Sequence, residues 1–238
     1  MKSYTKVSVV IPAYNEIRTI RNVIDRTEKA DVLGLEKEII VVDNYSTDGT
    51  REVIAELGKS GRIKAILHEK NLGVGTSWRD GIAASTGQII IRQDADIEYI
   101  PEDFPTLLHP ILDGKAEIVY GSRILGFDKS KYRYKTYLWG GIFINKICTI
   151  IIGTRLSDIL TASKVFEKSI FEKFSLESVH FEIETELTAK AHRAGFRIIE
   201  VPITYNARSF EEGKKIRWHH AFVILRSALY HRFFSKLL

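Results

Sequence analysis

The chain has 238 residues, of which 45% are hydrophobic and 27% are charged, and this size and composition predict one large globular domain. Its single cysteine, Cys148, excludes an intrachain disulfide and a cysteine-based zinc site, and it suits a reducing compartment. We find neither the apolar run of a signal peptide nor an uninterrupted run approaching the roughly 20 apolar residues of a membrane-spanning helix. The net charge is +5, and residues 208–238 alone carry a net charge of that size.

The first half of the chain alternates apolar strands with helical segments. We predict strands at 7–11, 38–42, 63–67 and 88–92, and helices at 16–30 and 75–85. Turn and N-cap residues at 46–50 predict a further helix that extends through Leu57. Strands buried on both faces and separated by helices indicate an α/β fold with a mostly parallel central sheet flanked by helices. Later segments predict strands at 118–120 and 197–203 and a helix near 181–194, and Pro202 places the last strand near an edge. We expect one domain over 1–217 and a basic, aromatic, amphipathic C-terminal helix over 218–238.

The most informative segment is 89–96, in which three isoleucines precede Asp94 and Asp96. Residues two apart in an extended segment point the same way, so two such carboxylates repel each other unless a cation lies beside them. Mg²⁺ and Mn²⁺ prefer oxygen ligands, often one or two carboxylates together with substrate phosphates. The segment therefore indicates a site for a metal ion and a diphosphate. If the triplet Asp94-Ala95-Asp96 stood alone, a polar turn would be the better explanation.

Polar residues follow the other predicted strands as well. They lie at 12–16 after the first strand, at Asp43 after the second and at 71–73 after the third. The carboxyl ends of parallel strands meet at one edge of the sheet, where ligands bind. For Asn15 or Asp48 alone, helix capping is at least as good an explanation as ligand binding. Four strand ends that converge on one crevice, however, are hard to explain by capping.

Four motifs resemble, in order and spacing, those of family 2 glycosyltransferases: VIPAYNE at 10–16, VVDNYSTDGT at 41–50, NLG at 71–73 and DAD at 94–96. Three later motifs resemble the polyprenyl-phosphate branch of that family, which includes the dolichol-phosphate mannose synthases: GSR at 121–123, EVPI at 200–203 and RSFEEGKKI at 208–216. The resemblance implies a GT-A-type, Rossmann-like fold that binds a nucleotide sugar. It also implies an inverting, metal-dependent transfer of a hexose from a UDP- or GDP-sugar to a polyprenyl or dolichyl phosphate.

The resemblance further implies roles for individual residues. The nucleotide sugar would be bound by Pro12, Ala13, Tyr14, Glu16, Asp43, Asn71, Gly73, Asp94, Ala95, Lys214 and Lys215. A Mg²⁺ or Mn²⁺ ion would be held by Asp94, Asp96 and Glu98, and the catalytic residues would be Asp96, Arg123, Asp158 and Arg208. The arginines suit this role because a guanidinium binds phosphate through two donors at once. For the lysine pair, a solvated run of charge is the alternative.

Two further roles concern the acceptor. A lipid phosphate is already anionic and needs no strong base, whereas a sugar hydroxyl needs one, for which Asp158 is the candidate. Glu186 would orient a basic residue or serve the acceptor site. The chain departs from the family at 161–164, where Thr-Gly-Phe followed by Lys or Arg is usual, and at Val74, where Lys is usual.

Two segments indicate contact with a membrane surface. The apolar stretch 137–152, with Trp139 and Lys146, and the basic aromatic tail from Trp218 onward are typical of helices that lie in a membrane interface. Core packing and dimer contact are the alternatives for both segments, so a homo-oligomer is left open. We expect a peripheral protein at the cytoplasmic face of a membrane, with a nucleotide sugar and a polyprenyl phosphate as partners and no nucleic acid.

Other functions remain as alternatives. The first is transfer to a saccharide hydroxyl in polysaccharide or glycan synthesis. A sugar-nucleotide pyrophosphorylase should carry a glycine-rich basic loop after the first strand, which residues 12–16 do not form. A dinucleotide-dependent dehydrogenase fits less well, because Gly73 and Gly75 are followed by Trp78 and lie far from the first strand. Charge alone does not exclude a non-enzymatic nucleotide-sugar binder or a basic nucleic-acid module, but the acidic residues that gather in the crevice argue against the nucleic-acid module.

Overall fold

The structure of the chain, a computed structural model, describes residues 3–126, 135–208 and 220–236. The strands in these ranges are β1 (Lys6–Ala13), β2 (Glu36–Asp43), β3 (Lys64–Leu67), β4 (Ile89–Arg92), β5 (Ile118–Ser122), β6 (Lys164–Glu167) and β7 (Ile198–Pro202). The helices are α1 (Ile20–Lys29), α2 (Thr50–Lys59), α3 (Val74–Ala83), α4 (Phe104–Leu112), α5 (Lys135–Ile152), α6 (Lys168–Phe171), α7 (Ile183–Arg193) and α8 (His220–Phe233). A short 3-10 helix, Pro101–Asp103, precedes α4.

The described strands form one sheet in the order β3-β2-β1-β4-β6-β5-β7. β1 runs parallel to β2 and β4, and β2 runs parallel to β3. β6 is antiparallel to both β4 and β5, and β5 is parallel to β7. The predicted mostly parallel sheet is confirmed, and β7 lies at its edge, as expected from Pro202. The reversed strand β6 was not predicted.

The central strands are buried on both faces because β-branched residues alternate between two cores. In β1, Val9 and Ile11 enter one core while Val10 enters the other. In β4, Ile91 enters the first of these cores and Ile90 enters the second. Fully burying one such side chain contributes about 1.5–3 kcal/mol, so these runs fix β1 and β4 in the middle of the sheet.

Helices cover both faces of the sheet. α1, α2 and α4 pack on the face that includes Val9 and Ile11, whereas α3, α6 and α7 pack on the face that includes Val10. On the second face, the Trp78 ring of α3 meets Phe166 of β6 edge to face, with ring centroids 5.6 Å apart. The loops at the carboxyl ends of the strands therefore rest on a rigid, doubly covered sheet.

A smaller apolar cluster joins α5, α7 and α8. Cys148 and Ile152 of α5 pack with Ala189 of α7 and with Ile224 and Ala228 of α8. Core packing, the alternative for the apolar stretch at 137–152, therefore accounts for one face of α5. Among the described residues, no helix combines the length and the apolar character needed to cross a bilayer. The expected domain boundary at 217 falls outside the described residues.

Candidate active site

The carboxyl ends of β1, β2 and β4 lie side by side at one edge of the sheet. Ala13, the last residue of β1, pairs with Asp43, the last residue of β2, and Arg92, the last residue of β4, pairs with Val10. The segment 94–96 continues directly from this edge. The expected meeting of strand ends is therefore observed, while the ligand roles of these residues stay predictions.

The loop after β1 is fastened to the loop after β2 by hydrogen bonds from backbone to side chain. The N–H of Thr47 donates to Asn15 Oδ1 (2.9 Å), and the N–H of Ile17 donates to Asp48 Oδ2 (3.1 Å). Asp48 Oδ1 also accepts from the N–H of Thr50, the first residue of α2 (3.1 Å). Asn15 and Asp48 thus hold the two loops together, and Asp48 also binds the first N–H of α2, whose N-cap residue is Gly49.

Of the expected nucleotide-sugar residues in the loop after β1, Pro12, Ala13 and Glu16 are buried. Tyr14 is exposed over 37% of its surface. Tyr14 is therefore the member of this group that a ligand can contact over a broad surface without any rearrangement.

Asp43 is completely buried, and its carboxylate is held from several sides. It accepts hydrogen bonds from the N–H groups of Tyr45 and Ser46, each at 3.2 Å, and from Arg51 Nη1 at 2.8 Å. The same Arg51 nitrogen donates to the carbonyl oxygen of His68 (2.7 Å). Arg51 was not among the predicted site residues. In the Arg51–Asp43 pair it is Arg51 that reaches solvent, with 29% of its side chain exposed.

The loop after β3 is shaped by Asn71 and Gly73. Asn71 Oδ1 accepts from the side-chain amide of Asn44 (3.0 Å) and from the N–H of Gly73 (3.0 Å). Gly73 has φ of +84°, and a Cβ there would lie 2.3 Å from the carbonyl oxygen of Val179. Only glycine fits this position, so the close approach of 178–180 to the start of α3 depends on it.

Arg208 lies among the carboxylates of the edge. Its Nη2 contacts Asp96 Oδ2 at 2.5 Å and its Nη1 contacts Glu16 Oε2 at 3.0 Å. The backbone N–H of Arg208 donates to Glu98 Oε1 (2.8 Å), and the hydroxyl of Tyr205 donates to Glu98 Oε2 (3.1 Å). Residues 205–208 are thereby attached to the loop after β4.

Asp96 is buried close to other acidic groups. Burial raises the pKa of Asp96 to about 8; the nearby charges of Asp94 and Glu98 contribute, while Arg208 opposes the shift. Three carboxylates, those of Glu16, Asp96 and Glu98, lie around the one guanidinium of Arg208. Such an excess favours the binding of an additional cation.

The donor set suits a hard divalent cation that is also bound by a ligand. Among the described residues, no three carboxylate, imidazole or thiolate groups converge closely enough to ligate one ion by themselves. Arg208 separates Asp96 from Glu16, and Asp94 Oδ1 lies 3.5 Å from Arg92 Nε. Because Mg²⁺ sites commonly use one or two carboxylates plus substrate phosphates, the oxygen groups of Asp94, Asp96 and Glu98 fit such an ion without forming a complete site.

A buried charge cluster lies behind Asp94. Glu184 of α7 forms short ion pairs with Arg92 Nη1 and with Lys164 Nζ, and all three side chains are buried. Lys164 Nζ also donates to the carbonyl oxygens of Ile159 (3.1 Å) and Thr161. The cluster, which was not predicted, therefore joins the end of β4 to the loop after Asp158.

Arg123 and Asp158 form a two-pronged ion pair. Arg123 Nε and Nη2 donate to the two oxygens of Asp158, each at 2.7 Å, and the N–H of Arg123 adds a third bond at 3.0 Å. Asp158 is almost completely buried, and its own N–H donates to Glu200 Oε1 (2.7 Å). The Arg123 guanidinium lies 5.3 Å from the ring centroid of Tyr205. Through Tyr205, this pair adjoins the Glu98 and Arg208 contacts.

Glu186 is buried in α7, away from these contacts. It accepts from the N–H groups of Glu177 (3.0 Å) and Ser178 (2.8 Å) and pairs with Lys190 (2.8 Å). Of its two expected roles, the orientation of a basic residue is therefore observed. The expected lysine ligands, Lys214 and Lys215, lie outside the described residues.

Helices α5 and α8 expose apolar side chains. On α5 these are Phe143 and Ile150, on α8 they are Phe222, Val223, Leu229, Tyr230 and Phe233, and just beyond α8 is Phe234. Each of them exposes between 46% and 76% of its surface. The basic residues Lys146, Arg226 and Lys236 are exposed on or just beyond the same two helices. Trp218 and the side chain of Trp139 lie outside the described residues.

Comparison with protein families identifies the chain. The family described as Glycosyl transferase family 2 matches residues 8–175, which include the strand ends and the segment 94–96. The chain belongs to this family. The resemblance seen in the sequence motifs is therefore confirmed.

Two curated relatives of this family 2 member support the polyprenyl-phosphate branch. The dolichol-phosphate mannosyltransferase of Pyrococcus furiosus is 31% identical over 213 residues, which are 88% of this chain and 59% of that protein. The UDP-N-acetylglucosamine–dolichyl-phosphate N-acetylglucosaminyltransferase of Methanococcus voltae is 27% identical over 230 residues, and the match covers 88% of this chain and 90% of that protein. The chain thus spans about three fifths of the Pyrococcus protein and most of the Methanococcus protein.

Solved structures confirm the expected GT-A-type α/β fold. Glucosyl-3-phosphoglycerate synthase from Mycobacterium tuberculosis, in complex with UDP, matches with a TM-score of 0.72 at 20% identity, covering 98% of this chain and 82% of that one. The same enzyme with Mn²⁺, UDP and glucosyl-3-phosphoglycerate matches with a TM-score of 0.69 at 21% identity, covering 96% and 80%. Identities of this size support the fold alone.

Proposed function

We propose that this family 2 member transfers a hexose from a nucleotide diphosphate sugar to a polyprenyl phosphate at a membrane face. A phosphate oxygen of the acceptor forms the new bond to the anomeric carbon of the sugar. The bond from that carbon to the β-phosphate breaks on the opposite side, so the configuration inverts. The electron pair leaves with the nucleotide diphosphate.

The strand-end loops would bind the donor. Tyr14 is exposed beside the ends of β1 and β2, and Arg51, which the buried Asp43 holds in place, is partly exposed near the end of β2. Asn71 and Gly73 shape the neighbouring loop, where backbone can approach a phosphate closely. This arrangement supports the expected donor roles of these residues, which mutation and binding experiments must test.

Asp94, Asp96 and Glu98 would hold a Mg²⁺ or Mn²⁺ ion together with the donor diphosphate. When bound, such an ion stabilises the negative charge that develops on the departing diphosphate. The excess of carboxylate around Asp96 supports this role, because burial and neighbouring acids disfavour an isolated charge there. Crystals of the M. tuberculosis enzyme with Mn²⁺ and UDP agree with it.

The Arg123–Asp158 pair carries the preference for a phosphate acceptor. Both oxygens of Asp158 accept hydrogen bonds from Arg123, and the carboxylate is almost completely buried. A carboxylate held in this way is poorly placed to remove a proton from a sugar hydroxyl. An acceptor phosphate needs no such base, and Arg123 is a cation suited to bind it. The names of the two curated relatives, which include dolichyl or dolichol phosphate, agree with this acceptor.

The exposed apolar residues of α5 and α8 would contact the lipid surface. Aromatic rings accompanied by arginine and lysine favour the headgroup region of anionic bilayers. An acceptor with a polyprenyl chain resides in a membrane, so contact there brings the enzyme to its substrate.

One reaction panel tests the proposal. The protein is incubated with UDP-glucose, UDP-N-acetylglucosamine or GDP-mannose, with Mg²⁺ or Mn²⁺, and with a polyprenyl phosphate in vesicles. We expect one donor to yield a glycosyl phosphate lipid, detected by mass spectrometry, and we expect chelator or Asp96→Asn to abolish it. Asp113→Asn, which changes an exposed carboxylate paired with Lys115, serves as the control and should remain active.

Two outcomes would contradict the proposal. Transfer to saccharide hydroxyls with no lipid product would move the chain to the alternative acceptor class. Full activity after complete removal of divalent metal would refute the role of Asp94, Asp96 and Glu98 as ion ligands.

A further inference from the structure

Arg208 lies where the expected metal ion would bind. Its guanidinium bridges Asp96 (2.5 Å) and Glu16 (3.0 Å), and its Nε lies 3.9 Å from Glu98 Oε1. Nε is buried and has no hydrogen-bond partner among the described residues. Arg208 therefore sits among three carboxylates without saturating its donors.

A guanidinium and a divalent cation compete for the same carboxylate oxygens. At separations near 4 Å, like charges repel strongly wherever water is partly excluded. Arg208 exposes only 12% of its side chain and Asp96 only 11%. Binding of an ion to Asp96 Oδ2 thus competes with Arg208, and a displaced guanidinium needs another anionic partner. A nucleotide diphosphate supplies that partner.

We propose that Arg208 is a built-in counterion that holds the cation position until the donor arrives. This inference rests on the proposed function, since it takes a nucleotide diphosphate as the incoming anion. Without nucleotide, Arg208 competes with the metal ion and keeps its affinity low. With nucleotide, Arg208 moves onto phosphate, Asp96 becomes available, and metal and nucleotide strengthen each other's binding by the same factor.

Titration with Mn²⁺, followed by the electron paramagnetic resonance signal of the free ion, tests the competition. In the absence of nucleotide, Arg208→Gln should bind Mn²⁺ roughly tenfold or more tightly than the wild type, because a positive charge beside the ligands is removed. Arg208→Lys should resemble the wild type more than the glutamine variant. Arg21→Gln, which alters an exposed arginine on α1, should leave the affinity unchanged.

Repeating the titration with UDP or GDP measures the coupling. The nucleotide should increase the Mn²⁺ affinity of the wild type severalfold more than that of Arg208→Gln. Circular dichroism shows whether each variant is folded. If Arg208→Gln is unfolded, the wild-type titrations decide, and a Mn²⁺ affinity that bound UDP or bound GDP leaves unchanged overturns the inference. Equal or weaker Mn²⁺ binding by folded Arg208→Gln without nucleotide also overturns it. Failure of the protein to bind any nucleotide would instead count against the proposed function, because the nucleotide-free titration stands independently.

Discussion

Replacing Glu184 with glutamine probes the buried charge cluster that supports the active-site edge. Arg92, Glu184 and Lys164 expose 3%, 4% and 0% of their surfaces, so water does little to screen them. Glutamine keeps the shape and one accepting oxygen but removes the negative charge. The two cations are then left together, with the partly exposed Asp94, 3.5 Å from Arg92 Nε, as a counterion on one side.

Removing one partner of a buried ion pair typically costs about 3–5 kcal/mol, and we expect Glu184→Gln to lower the free energy of unfolding by this amount. In a domain of this size, each kcal/mol shifts Tm by roughly 2–4 °C, so Tm should fall by roughly 6–20 °C. Guanidinium unfolding followed by circular dichroism gives the free energy, and a thermal scan gives Tm. Binding of the nucleotide should weaken as well, because Arg92 is the residue that adjoins Asp94.

A surface variant and a double variant complete the test. Glu172→Gln removes an exposed carboxylate paired with Lys168 and should cost less than about 1 kcal/mol. Adding Lys164→Met to Glu184→Gln removes one of the stranded cations and should restore part of the lost stability. If Glu184→Gln destabilises no more than Glu172→Gln, the three charges do not stabilise one another and the reasoning is wrong.

Three further outcomes are expected. Gly73→Ala should lower Tm by more than Gly34→Ala, because both positions have a positive φ but only at Gly73 would the new Cβ meet a backbone oxygen, at 2.3 Å. Phe233→Ser combined with Phe234→Ser should reduce co-sedimentation with anionic vesicles while leaving Tm within a few degrees, since both rings are exposed. Burial raises the pKa of Cys148 to about 12, so iodoacetamide at pH 8 should label it only when denaturant unfolds the protein.

Local patterns in the sequence predicted the regular part of the fold well. The triple isoleucine of 89–91 identified a doubly buried strand, and β1, β2 and β3 lie within two residues of their predicted bounds. The first helix begins at Ile20 and not at 16, because the N–H groups of Glu16 and Ile17 donate to the side chains of Thr50, at the start of α2, and of Asp48, in the loop before it. Among the described residues, four elements were missed: α4, which contains two prolines, and three short ones, the 3-10 helix Pro101–Asp103, β6 and α6, whose three or four residues leave too little periodicity to detect.

The site was predictable only where the sheet itself brings residues together. Parallel strands oblige Ala13, Asp43 and Arg92 to meet at one edge, and that follows from strand order and direction. The contact of Arg208 with Asp96 joins residues 112 apart in the chain, and that of Arg92 with Glu184 joins residues 92 apart. No spacing rule predicts such pairs. Motif resemblance suggested Arg208 as a phosphate ligand, but not its position among carboxylates.

The edge repeats one electrostatic arrangement, in which a buried carboxylate supports an arginine nearer to solvent. Asp43 and Asp158 expose almost none of their side chains, whereas Arg51 and Arg123, their partners, expose 29% and 23%. A transfer between a diphosphate and a phosphate brings two anions to one sugar, and carboxylates alone would repel both. Carboxylates that instead fix arginines in place present positive charge to the ligands. Arg208 departs from this pattern, since it is as buried as Asp96 and contacts more than one acid. A displaceable counterion has to lie among the carboxylates, where it competes directly with a metal ion. An arginine that faced solvent would not compete in this way.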